Sequence, residues 1–152
     1  MWLLWQQHYQ EEDCWFLLID AHNAFNEENC TAMMWAVRFE CPSVARFTLN
    51  CYRHWARLVI RAGDGTGHLI FSKEGATQGD PLAMVTYGLK IPPLICELRQ
   101  AHPGVIHPWY ADDAGSGGTF EGIWKHSDDL MVRGNPRVYF LNPTKSILVV
   151  YP

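Results

Sequence analysis

The spacing of apolar and polar positions predicts a chain that alternates strands with helices. Trp2, Trp5 and Tyr9 share one helical face, and the acidic Glu11, Glu12 and Asp13 follow. Residues 14–20, Cys-Trp-Phe-Leu-Leu-Ile-Asp, are apolar on both faces and end in a carboxylate. That predicts a buried central strand delivering Asp20 at its C-terminal edge. Asn26 reads as a helix cap with Glu27 and Glu28 in the first turn, where the helix dipole favours acids. Ala32, Met33, Ala36 and Val37 form its apolar stripe, and Pro42 ends it. Ser43 opens a second helix on which Phe47, Cys51 and Trp55 align.

Residues 57–62 and 68–73 flank Gly-Asp-Gly-Thr-Gly, a hairpin signal. A long helix is expected from Asp80, bending at Pro92-Pro93 and ending before His102. Residues 105–110 read as a strand reaching Ala-Asp-Asp, with Gly115, Gly117 and Gly118 as a tight return. A helix at 122–133 and closing strands at 138–141 and 147–151 complete the order. The sum is an α+β fold, an antiparallel sheet with helices on one face. No repeat, linker or low-complexity block divides it, so residues 1–152 are expected to form one domain.

Composition narrows the function. At 152 residues, with 48% apolar and 18% charged residues, the chain can bury a core and is no disordered tail. The net charge of −4 provides no global basic field for nucleic acid, so the phosphate-gripping surface is expected elsewhere. The apolar runs are too short to span a membrane, and the N-terminal stretch lacks the basic leader of a signal peptide. Five cysteines without a Cys-x-x-Cys pair argue against a disulfide framework or zinc knot and for a reducing, intracellular setting, cytosolic or nuclear.

Candidate chemistry lies in the carboxylates. Asp20 and the pair Asp112-Asp113 all fall at predicted strand ends, far apart in sequence. Like charges buried together are costly unless a cation neutralises them, and paired Mg²⁺ ions suit oxygen ligands and a phosphate substrate. On the carboxylates alone the simpler reading is a hairpin turn and a helix cap. Asp128-Asp129, read as a helix-start pair, illustrates how common adjacent acids are. Gly63-Asp-Gly65-Thr-Gly67 lacks the Lys-Ser/Thr of a phosphate loop, and His102 and His107 lack a convincing metal partner.

The surroundings of those acids change the balance. Leu-Leu-Ile-Asp20-Ala-His-Asn-Ala-Phe25, Ala-Thr-Gln78-Gly79-Asp80-Pro81-Leu, Tyr110-Ala-Asp112-Asp113 and Leu141-Asn-Pro-Thr-Lys145-Ser occur in that order. Together they resemble motifs A, B, C and D of the reverse transcriptase palm, over about residues 14–150. The Gln-Gly-Asp-Pro-Leu and Asn-x-x-Lys-Ser forms look more like retrotransposon and group II intron enzymes than retroviral ones.

The resemblance implies an RNA-directed DNA polymerase that joins deoxynucleotides to a primer 3′-hydroxyl by two-metal catalysis. Asp20 and Asp112 would ligate two Mg²⁺ ions, for which Mn²⁺ can substitute, with the main-chain carbonyl of Ala21 as a further ligand. Asp113 would be the third family carboxylate. Phe25 matches the aromatic steric gate that leaves no room for a 2′-hydroxyl. Gln78 and Gly79 would contact the incoming nucleotide and the template, and Asp80-Pro81 suits a helix start. Lys145 matches the motif D lysine, which could give a proton to pyrophosphate or offset its charge. Val138 departs from the family pattern, standing where a Gly before the aromatic is common.

The implied partners are an RNA template, a DNA or RNA primer and deoxynucleoside triphosphates, with no membrane. The stretch before Asp20 contains no Lys or Arg and the sequence given stops just after motif D. Fingers and thumb are therefore expected to be largely absent, as in a fragment of a mobile-element protein. The alternative is a catalytically silent palm relic or interaction module. A third class, another palm-fold enzyme such as a nucleotide cyclase, has no motif support here.

Overall fold

The structure is a computed structural model that describes residue 6 and residues 13–77 and 79–150. The aromatic face at the N-terminus thus lies outside the described residues, as do Gln78 and Tyr151. The chain divides into two compact units, Met1–Ala24 with Ile91–Pro152, and Phe25–Lys90.

The first unit is built on a four-stranded antiparallel sheet in the order β4-β5-β1-β6. Its strands are β1 (Trp15–Ile19), β4 (Trp109–Tyr110), β5 (Asp113–Gly118) and β6 (Ile147–Val149). The apolar run ending in Asp20 becomes β1, flanked by strands on both sides, as its pattern required. Register pairs Ile19 with Ala114 and Leu17 with Ser116 on one side, and Leu18 with Ile147 on the other. Two helices of this unit, α4 (Pro92–Ala101) and α5 (Phe120–Gly134), join it. Helix α5 buries Ile123, His126 and Leu130 at helical spacing, and Ser116 of β5 meets His126 Nδ1 at 2.9 Å. That contact identifies the helix-covered face as the one carrying Leu17, Ile19, Ala114 and Ser116. By the two-residue period of a strand, Leu18, Asp20, Asp113 and Gly115 belong to the opposite face.

The second unit holds α1 (Cys30–Glu40), α2 (Pro42–Tyr52), the hairpin β2 (Ala56–Arg61) with β3 (Gly67–Ser72), and α3 (Ala83–Lys90). Helix α1 buries Met33 and Val37. Asp64 Oδ1 accepts from Thr66 N and Oγ1 at 2.9 and 2.6 Å, closing the hairpin turn. Asp80 opens the entry to α3 through its carboxylate, which accepts from Leu82 N at 2.8 Å. Gly75, at φ 76°, lies so close to the Asn26 carbonyl that a side chain has no space there. No helix among the described residues is long and apolar enough to cross a membrane.

Several local expectations are corrected. The glycine-rich 113–118 is strand β5 rather than a return. It takes its extended form from neighbours on both sides, and at Gly117 a Cβ would sit 3.0 Å from the Phe16 ring. Helix α1 is capped by Asn29, whose Oδ1 accepts from Ala32 N at 2.8 Å, so Asn26 is not the cap and Glu28 is a buried residue before the helix. Pro42 begins α2 as well as stopping α1, and α2 buries Thr48 while Phe47 and Cys51 face out. The strand expected at 138–141 reduces to one bridge between Leu141 and Ala21 after a 3₁₀ turn, Asn135–Arg137. Asp128-Asp129 lies inside α5, where Asp129 receives His102 at 3.0 Å and Arg133 at 2.7 Å.

Candidate functional site

Three strand ends of the first unit meet at one end of the sheet. Asp20 follows β1 directly. Tyr110 pairs with Asp113 across the two-residue tip Ala111-Asp112, so Asp112 stands at the apex of the β4–β5 hairpin and Asp113 begins β5. Ala111 takes φ 55° there, a left-handed turn at the tip. One step beyond the Ile19–Ala114 pair, the β1–β5 register sets Asp20 opposite Asp113.

An open concavity of about 410 Å³ lies over this end of the sheet, and Asp20, Asp113 and Lys145 all line it, with Leu18, Tyr110 and Ile147. Asp112 stands at the hairpin tip, its backbone carbonyl accepting from the buried Tyr139 hydroxyl at 3.1 Å. Burial pushes the Asp112 carboxyl above its ordinary range, and the negative charges of Asp113 and Asp20 add to the shift. The three carboxylates therefore share one electrostatic environment although Asp20 comes from a distant part of the chain.

The segment after the 3₁₀ turn organises Asp20. Asn142 N donates to the Asp20 carbonyl at 2.8 Å, and Asn142 Nδ2 donates to Asp20 Oδ2 at 3.3 Å. Asn142 Oδ1 in turn accepts from Thr144 N and Oγ1 at 3.2 and 2.7 Å, a turn that Asn is built to make. Ser146 Oγ receives the Asp20 N–H at 3.2 Å and donates to the Asn142 carbonyl at 2.8 Å. Lys145 projects from this turn with Nζ 4.0 Å from Asp20 Oδ2, its side chain 69% exposed. Asn142 and Ser146 are functional candidates that motif reading passed over, since it singled out only the lysine of Asn-x-x-Lys-Ser.

Ala21 is buried and bridges Leu141. The bonds flanking that bridge, from His22 N to Phe140 O at 2.7 Å and from Asn142 N to Asp20 O, turn the Ala21 carbonyl away from the Leu141 strand. That is the β5 side, where the hairpin tip stands.

The other sequence-selected residues belong to the second unit. Phe25 is half-buried against Tyr87, with ring centroids 5.1 Å apart, and its carbonyl accepts from Ala76 N at 2.7 Å. Gly79 is exposed in a turn at φ 95°, which favours glycine. Gln78 lies outside the described residues. Among the described residues no group of three or more His, Cys, Asp or Glu side chains converges closely enough to hold a metal ion. In donor chemistry the carboxylates fit a hard divalent cation, because Asp20 and Asp113 offer oxygen ligands to one concavity and their charges add to the burial that raises the neighbouring Asp112 carboxyl.

No protein-family model and no curated protein sequence matches the chain. Solved structures do. Telomerase from Candida albicans in complex with a fragment of telomeric RNA aligns at a TM-score of 0.69 and 13% identity, over 97% of this chain and 28% of that one. Apo telomerase from Candida tropicalis, truncated from its C-terminal domain, aligns at 0.70 and 13%, over 96% and 32%. A further structure of apo telomerase from Candida tropicalis aligns at 0.70 and 11%, over 96% of this chain and 30% of that one. The chain spans about 30% of the length of the telomerase chains it matches. At these identities the likeness is one of fold: a mixed α+β, reverse-transcriptase-like architecture shared over nearly the whole of the chain.

Proposed function

We propose that the chain is the palm of an RNA-directed DNA polymerase of the retrotransposon or group II intron type. In its reaction a primer 3′-hydroxyl attacks the α-phosphate of a deoxynucleoside triphosphate and pyrophosphate leaves. The observation that carries the reading is the meeting of Asp20 with Asp112-Asp113 at one sheet end, in a fold that telomerases share.

On this reading Asp20, Asp112, Asp113 and the Ala21 carbonyl hold two Mg²⁺ ions, or Mn²⁺ in their place. When bound, the ions supply Lewis acidity at the attacking and leaving oxygens. Asn142 and Ser146 hold Asp20 in position through its carboxylate, carbonyl and N–H. Lys145, which lines the concavity from its exposed turn, offsets charge on pyrophosphate or protonates it. Phe25 is the gate against a 2′-hydroxyl, and Gln78 and Gly79 contact the nucleotide and template. The partners are an RNA template and a DNA or RNA primer, in an intracellular setting, with fingers and thumb supplied by further segments.

A second reading, a silent palm relic or interaction module, draws on the absence among the described residues of a preformed three-ligand metal group. Primer extension on an RNA template separates the two. The polymerase reading expects deoxynucleotide incorporation that requires Mg²⁺ or Mn²⁺, and Phe25→Ala admitting ribonucleotides. A folded chain supplied with fingers and thumb segments that extends nothing favours the relic.

A further inference from the structure

The net charge of −4 averages over an uneven distribution. From Cys41 to Lys73 the chain carries Arg46, Arg53, Arg57, Arg61 and Lys73, and Asp64 is the sole carboxylate. This stretch contains α2 and the β2–β3 hairpin of the second unit.

Strand geometry sorts these charges. Arg57 and Arg61 lie four residues apart on β2, so both project from the same face, about 13 Å from one another. Phe71 pairs directly with Arg57, and Leu69 with Val59 between the two arginines. One step beyond the ladder Trp55 joins this face. Its ring meets Phe71 at a centroid distance of 6.3 Å, and Lys73 Nζ lies 4.7 Å from its centroid. The rings stay open, Trp55 at 58% and Phe71 at 47% exposure. Arg57, Arg61 and Lys73 are exposed, and among the described residues none of them pairs with a carboxylate. Asp64 sits in the turn, where its carboxylate is occupied by Thr66.

We propose that this face of the hairpin binds single-stranded nucleic acid. Phosphates lie along Arg57, Arg61 and Lys73, and bases stack on Trp55 and Phe71. Cations free of carboxylate partners beside exposed rings are what such a strand requires, and an acid-free face in an otherwise acidic chain is its electrostatic complement. The proposal does not rest on the carboxylate chemistry and holds whether or not the chain catalyses.

The test is fluorescence anisotropy of a labelled oligopyrimidine of about 12 nucleotides with the full chain, in chelator so that no metal bridges carboxylate and phosphate. The double variant Arg57→Glu/Arg61→Glu is expected to bind at least tenfold more weakly, with a salt dependence shallower by about 1.4 in log–log slope. Arg57→Lys/Arg61→Lys should keep the slope, and Trp55→Ala should weaken binding about tenfold at an unchanged slope. All these side chains are exposed, so circular dichroism should match the wild type. No binding by the wild type, equal affinity in the double reversal, or binding to phosphatidylserine vesicles in place of the oligonucleotide would overturn the proposal. Because the readout needs no metal and no extension, its failure is distinct from failure of the polymerase reading.

Discussion

Asn142 grips Asp20 from two sides, its backbone N–H on the Asp20 carbonyl at 2.8 Å and its side-chain amide on the carboxylate at 3.3 Å. The same residue closes its own turn through Thr144, so one side chain ties the segment that carries Lys145 to the end of β1. Asn142→Ala removes the amide from both partners and should lower stability by about 1–2 kcal/mol in chemical denaturation. Asn142→Asp should be worse than Ala near neutral pH, because it sets a second carboxylate beside Asp20.

Val138 holds φ 58°, a left-handed conformation that a β-branched residue adopts only under strain. It is also the position where the palm pattern commonly has Gly. Val138→Gly should therefore stabilise the chain by about 1 kcal/mol, read as a raised denaturation midpoint. A loss of stability would mean that the Val138 side chain contributes more than its backbone costs.

How far the fold was legible follows from what each signal reports. The run ending in Asp20 announced β1 because burial on both faces leaves no polar positions to break the pattern. The hairpin was legible from its glycine-rich turn. Strand β5 was not, since Asp113–Gly118 has the composition of a turn and is made a strand only by pairing with β1 and β4. The start of α1 was misplaced because acids after a candidate cap suggest a first turn, whereas Glu28 is buried against Lys90. At the site, the acids and Lys145 were visible through their motifs. The grip of Asn142 was not, because only the register of the Ala21–Leu141 bridge creates it. The basic hairpin face was hidden by the net charge of the whole chain.

Glu28 and Lys90 form a buried pair 4.0 Å apart, and burial raises the Glu28 carboxyl to about 7 despite the opposing charge of Lys90. Lys90→Met leaves that carboxylate without its counter-charge and should destabilise the chain by about 3 kcal/mol at pH 8. A carboxyl raised in the fold favours folding below its unfolded value of 4.5 and loses that contribution as pH rises through its folded value. The Lys90→Met penalty should accordingly shrink toward pH 5. Glu28→Leu/Lys90→Met, which removes both charges, should recover most of the loss.

His126 titrates in the opposite sense. Burial lowers it to about 4, helped by the neighbouring His107 and His102 and opposed by Asp129. A base depressed in the fold stabilises above its unfolded value of 6.5 and loses that contribution as pH falls toward 4. Glu28 shifts stability in the opposite sense over the same range, so the histidine is read from a difference. In urea denaturation the stability of wild type relative to His126→Gln, which cannot take the proton, should fall by roughly 2–3 kcal/mol across that window.

The central assignment is that Asp20 and Asp112 carry nucleotidyl transfer. Primer extension on an RNA template with deoxynucleotides and Mg²⁺ tests it most directly, comparing wild type with Asp20→Asn, Asp112→Asn and the hairpin-turn variant Asp64→Asn, with fingers and thumb segments supplied to all. The assignment predicts extension that Asp20→Asn and Asp112→Asn each reduce at least a hundredfold and Asp64→Asn leaves intact. Extension that persists undiminished in Asp20→Asn and Asp112→Asn would contradict it.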